Sequence, residues 1–86
     1  MTCIFSGSVQ GVGFRYTAQN LALQYDVRGY VRNLDDGRVE LVMEGPDTEM
    51  QGLLDDVKRH MSGYIDDVQA TRSPATGEFK RFGIVH

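Results

Sequence analysis

The chain has 86 residues, a formal net charge of −3 and one cysteine, and 41% of its residues are hydrophobic. This length suits a single domain over residues 1–86 with one modest core, and the lone Cys3 excludes an intrachain disulfide. No apolar run approaches the roughly 20 residues that span a bilayer, no signal peptide is visible, and the acidic balance disfavours nonspecific nucleic-acid binding. We therefore expect a cytoplasmic protein with no membrane or nucleic-acid partner, in which Cys3 is a small buried hydrophobe in a reducing compartment.

The first predicted element is a strand, because apolar and small residues alternate with period two from Cys3 to Val9. A glycine-rich stretch follows and ends at Arg15. Its glycines permit positive φ and a close backbone approach, and successive N–H groups in such a loop attract phosphate-like anions. Arg15 adds a planar, permanently charged donor fork. The stretch predicts either an anion-binding loop or only a tight turn from strand to helix.

Helical spacing of apolar residues from Phe14 to Tyr25 predicts the first helix, so the glycine loop lies at a helix N-terminus, where anions are favoured. Val27 to Asn33 and Arg38 to Glu44 alternate as two strands. The turn signal Asp35-Asp36-Gly37 between them predicts a hairpin.

Apolar spacing from Met50 to Met61 predicts the second helix, with Asp47 as its N-cap. A polar strand over 67–72 is expected at a sheet edge. The last strand, over 79–85, breaks its alternation, which suggests a bulge. The order predicts an α+β fold, a ferredoxin-like sandwich with two helices on one face of a mainly antiparallel, four- to five-stranded sheet: βαββαβ plus a final strand.

Arg15 and Asn33 are the side chains best placed for chemistry beside the glycine loop. Taken singly, each also fits a simpler interpretation, because most arginines are solvated and asparagine is common in turns. A phosphate-binding P-loop is excluded because no G-x-x-x-x-G-K-[ST] segment occurs. His60 and His86 are too few and too isolated to predict a metal site.

Three segments together carry a more specific signal. Residues 9–15 read VQGVGFR, residues 29–33 read GYVRN, and residues 36–40 read DGRVE. This combination resembles the acylphosphatase family, and the resemblance covers most of the chain. One departure is Ser8, which stands where family members frequently carry a basic residue.

The resemblance implies a small monomeric hydrolase that cleaves the carboxyl–phosphate bond of acyl phosphates, with no metal, cofactor or covalent intermediate. It implies that Arg15 binds the phosphoryl group and that Asn33 orients the attacking water. It further implies that a backbone loop cradles the phosphate. The residues of that loop are Gly7, Ser8, Val9, Gln10, Gly11, Val12 and Gly13.

The alternative is a non-catalytic ferredoxin-like module that binds an anion or RNA, since a fold does not fix a function. RNA binding on a sheet requires exposed aromatic residues among basic ones. Tyr30, between Arg28 and Arg32, is the one such cluster, and the net charge opposes this alternative.

Overall fold

A computed structural model describes residues 1–86, which form one five-stranded sheet and two helices. In chain order the elements are β1 (Thr2–Gly7), α1 (Phe14–Ala22), β2 (Arg28–Asn33), β3 (Val39–Glu44), α2 (Asp47–His60), β4 (Ile65–Thr71) and β5 (Phe82–Val85). The spatial order of the strands is β4-β1-β3-β2-β5. Neither helix has the length and apolar character needed to cross a membrane.

Antiparallel pairing joins β1 to β3, β1 to β4 and β2 to β3, whereas β5 pairs in parallel with β2. The sheet is therefore mixed but mainly antiparallel, and β4 lies at an edge, as its polar sequence predicts. With both helices packed against one face, this arrangement confirms the ferredoxin-like α+β class. The one parallel pair arises because β5, which follows β4 in the chain, lies at the opposite edge of the sheet beside β2.

The core lies between the helices and one face of the sheet, because alternate strand positions and one stripe of each helix are buried. Fully buried strand residues include Cys3, Phe5 and Leu41. The Phe5 and Phe14 rings pack with centroids 4.9 Å apart and thereby join β1 to the start of α1. Burial raises the pKa of the Cys3 thiol to about 11, which agrees with the expectation of an inert, buried side chain.

Two local predictions are wrong. Pro46, not Asp47, is the N-cap of α2, and the Asp47 carboxylate instead contacts Arg72, with Oδ1 2.9 Å from Nη1. Proline fixes φ near the required value and leaves Asp47 as the first helical residue. The irregularity expected in the last strand lies instead in the pairing of β1 with β4, where the register shifts between Ser6 and Gly7 and leaves Asp66 of β4 without a partner.

Candidate active site

A cavity of about 180 Å³ opens where the segment between β1 and α1 meets the carboxyl end of β2. The fold therefore brings Arg15 and Asn33 together with part of the glycine loop, although they are far apart in sequence. The residues that line the cavity are Val9, Gly11, Gly13, Phe14, Arg15, Tyr16 and Asn33.

The segment that contributes most of the cavity lining has unpaired backbone donors. None of the backbone N–H groups from Ser8 to Tyr16 donates a hydrogen bond to another group of the protein, and the first intrahelical bond of α1 runs from Thr17 N to Gly13 O, at 3.0 Å. These unpaired N–H groups include those of the first turn of α1, and the helix dipole favours negative charge at this end. The segment is consequently a concave set of donors without an internal acceptor.

Gly11 and Gly13 give the loop its shape. Their φ angles are 77° and 78°, in the left-handed region where side chains are disfavoured, and Gly13 is the N-cap of α1. A Cβ added at either glycine would meet nothing within 4 Å, so these positions need glycine for conformation rather than for space.

Arg15 contributes the positive charge of the site. Its guanidinium forms no ion pair with any carboxylate, and its only side-chain hydrogen bond is between Nη1 and His86 Nδ1, at 3.2 Å. The first turn of α1 also contains no acidic residue. An anion that enters the cavity would therefore meet an uncompensated cation next to free amides.

Asn33 ends β2 opposite Val39 on β3 and is half-buried. No hydrogen bond within the protein occupies its side-chain amide, which leaves both its donor and its acceptor available. The hairpin after Asn33 is fixed by a bond from Leu34 N to Arg38 O, at 2.8 Å, and by Gly37 at φ 94°. The Arg38 amide, with its guanidinium, lowers the pKa of Asp36, so that carboxylate is committed to the turn.

Four residues of the predicted loop do not line the cavity. Gly7 is the last residue of β1, paired with Ile65 of β4, and Ser8 is exposed beyond it. Val12 packs against the core. Gln10 points its side chain at the hairpin, where Nε2 donates to Leu34 O at 2.7 Å and to Arg38 O at 2.9 Å.

Sequence reasoning missed three features of the site. The amide of Gln10 ties the loop to the hairpin that carries Asn33, Tyr16 lines the rim with 62% of its surface exposed, and His86 contacts Arg15. Only Tyr16 had a local signal, since it directly follows Arg15. The described residues include no group of three or more His, Cys, Asp and Glu side chains placed to hold a metal ion.

Comparison with known proteins gives a consistent result. A model of the acylphosphatase family matches residues 1–84. The acylphosphatase of Bacillus subtilis (strain 168) is 40% identical over 84 residues, which cover 96% of this chain and 92% of that protein. A crystal structure of acylphosphatase from Bacillus subtilis matches with a TM-score of 0.88 at 38% identity, covering 99% of this chain and 96% of that one. T. kodakarensis HypF matches with a TM-score of 0.79 at 28% identity, over 99% of this chain but 11% of HypF.

Proposed function

The chain belongs to the acylphosphatase family and hydrolyses acyl phosphates, and we propose that Arg15, Asn33 and the backbone of the Gly7–Gly13 loop carry out this reaction. The observation that supports this assignment is the row of unpaired amides from Ser8 to Tyr16 beside the unpaired guanidinium of Arg15. Arg15, Asn33 and five other residues of the segment, among them Gly11 and Gly13, line the same cavity.

In this proposal the phosphoryl group binds where the loop amides and Arg15 converge. Phosphoryl transfer requires mainly positioning and the stabilisation of charge on the phosphoryl oxygens. Fixed amides provide this stabilisation without reorganising, as an oxyanion hole does for a carbonyl. Arg15 adds a full charge and a geometry that matches two oxygens at once.

Asn33 holds the attacking water by accepting a hydrogen bond through its amide oxygen, while its nitrogen can donate to a phosphoryl oxygen. The water oxygen forms a bond to phosphorus as the bond to the acyl oxygen breaks. The leaving carboxylate departs with the electron pair, and it needs no general acid because the pKa of its conjugate acid is about 4. Asparagine is not a base, so we assign the proton of the water to the phosphate product.

Hydrolysis of benzoyl phosphate tests the roles of the two side chains. We expect Arg15→Ala and Asn33→Ala each to lower kcat/KM by about 100-fold or more while circular dichroism shows a folded protein. Arg81→Ala and Asn20→Ala are matched controls on exposed side chains outside the cavity and should hydrolyse the substrate like the wild type. Full activity of Asn33→Ala would overturn the assignment of the water site.

We further propose that the chain works as a single-domain cytoplasmic monomer without a nucleic-acid partner. Few of its large apolar side chains are exposed, and Cys3 is fully buried. The Tyr30 ring is the best candidate for stacking on RNA, but it already packs against Phe79, with ring centroids 5.7 Å apart. Arg32 Cζ also lies 5.9 Å from the centroid of the Tyr30 ring. Filter binding of single-stranded RNA at low salt tests this part, and retention of RNA would contradict it.

A further inference from the structure

His86 lies beside the catalytic cavity although it is 71 positions from Arg15. The parallel register of β2 and β5 ends with Arg32 opposite Val85, and Asn33 and His86 are the residues that directly follow this pair. The Nδ1 atom of His86 lies 3.2 Å from Arg15 Nη1. We infer that His86 is a positioning residue that orients the Arg15 guanidinium, an inference that rests on the proposed role of Arg15 in binding the phosphoryl group.

The chemistry of the two side chains fixes the direction of this hydrogen bond. A guanidinium has only donors, so Arg15 Nη1 donates and the imidazole Nδ1 accepts. The bond therefore requires the neutral imidazole with its proton on Nε2. A protonated ring would present an N–H group to a cation, which breaks the bond and adds repulsion.

A neutral acceptor suits this position better than a carboxylate. It restrains Arg15 without cancelling the positive charge that the phosphoryl group requires, whereas a carboxylate would compete with the substrate for that charge. The bond uses one of the two protons on Nη1. The edge formed by Nε and Nη2 remains free to bind two phosphoryl oxygens.

The two elements packed against β5 are α1 and β2, and neither contains Asp or Glu. Arg32 and Tyr30 on β2 are both bonded to Glu40 Oε1 on β3, and the Arg32 Nε distance is 2.7 Å. The titratable and charged side chains of α1 and β2 are Arg15, Tyr16, Arg28, Tyr30 and Arg32.

The test compares His86→Ala, which removes the acceptor, with His86→Asn, whose amide oxygen takes the place of Nδ1. With benzoyl phosphate at about pH 8, we expect His86→Ala to raise KM by about tenfold with kcat nearly unchanged, and His86→Asn to restore KM.

His60→Asn is the matched control, because His60 is the other histidine of the chain and contacts Asp56 O on α2 at 2.9 Å. It should hydrolyse benzoyl phosphate with the wild-type KM. A wild-type KM for His86→Ala, in an enzyme that Arg15→Ala inactivates, would overturn the inference and leave the proposed function intact.

Ring ¹⁵N shifts of His86 provide a readout that does not depend on turnover. We expect the Nε2–H tautomer at about pH 8 and a shift of the Nδ1 resonance in Arg15→Ala. The Nδ1–H tautomer, or an Nδ1 resonance that is unchanged in Arg15→Ala, would overturn the inference. Should the expected shifts occur in a protein that does not hydrolyse benzoyl phosphate, the contact is supported and the proposed function fails.

Discussion

The side chain of Gln10 links the glycine loop to the hairpin that follows Asn33, and Gln10→Met removes this link while keeping the length of the side chain. In the wild type, Nε2 donates both of its protons across the gap, to Leu34 O at 2.7 Å and to Arg38 O at 2.9 Å. We expect the variant to lose stability and to hydrolyse acyl phosphates more slowly, because the loop and Asn33 are no longer held in register.

The stability loss follows from the two bonds. One hydrogen bond between neutral, partly buried groups contributes about 1 kcal/mol, so the loss is about 2 kcal/mol. It stays near this value because both carbonyls keep a second donor, Gly37 N at 3.2 Å for Leu34 O and Leu34 N at 2.8 Å for Arg38 O. For a domain of this length, the Tm falls by about 8–16 °C.

Urea unfolding followed by circular dichroism measures this loss, and Gln51→Met is the matched control. Gln51 Nε2 also donates at 2.9 Å, but to Asp55 on the exposed face of α2, where such a pair contributes about 0.5 kcal/mol or less. At a temperature where Gln10→Met is fully folded, its kcat/KM should still fall, since a displacement of about 1 Å between reacting groups can cost about 100-fold. Equal unfolding midpoints for the two variants would refute the reasoning.

Two further predictions concern stability. Gly7→Ala should cost about 2–4 kcal/mol in urea unfolding, because φ is 125° and the added Cβ would clash with the backbone oxygen of Tyr64, whereas Gly63→Ala meets open space and should cost little. Glu44 accepts hydrogen bonds from the amide and hydroxyl of Thr76, which lower its pKa. That contribution is present above the ordinary Glu range and is lost as pH falls through the lower folded pKa, so Glu44→Gln should flatten the loss of stability below about pH 4. Parallel pH dependences of the two proteins would contradict this.

Much of the fold follows from local patterns. The buried alternation of Val39, Leu41 and Met43 is visible in the sequence, and so is the turn at Gly37. Both features depend on residues within a few positions of one another, where period and turn chemistry decide the conformation. The parallel pairing of β5 with β2 had no such signal, because the two strands lie far apart in the chain and β5 is only four residues long.

The site divides in the same way. The resemblance to acylphosphatases rests on contiguous residues and singles out Arg15 and Asn33, which the fold brings to one cavity. The contacts of Gln10 and His86 join residues 24 to 28 and 71 positions apart, and each depends on which strand lies beside which. The residue type alone does not predict such a contact, since glutamine and histidine are common on protein surfaces.

The N-termini of the two helices differ in whether an acidic side chain complements the helix dipole, and this difference explains how an acidic chain can bind an anion. α2 begins with Asp47 and Glu49 in its first turn, so its own carboxylates complement the dipole. α1 has no acid in its first turn, and its N-terminal amides remain unpaired behind two left-handed glycines. Amides carry partial charge without counterions or titration, so one free cation at Arg15 is sufficient to complete a local positive site in a chain whose net charge is −3.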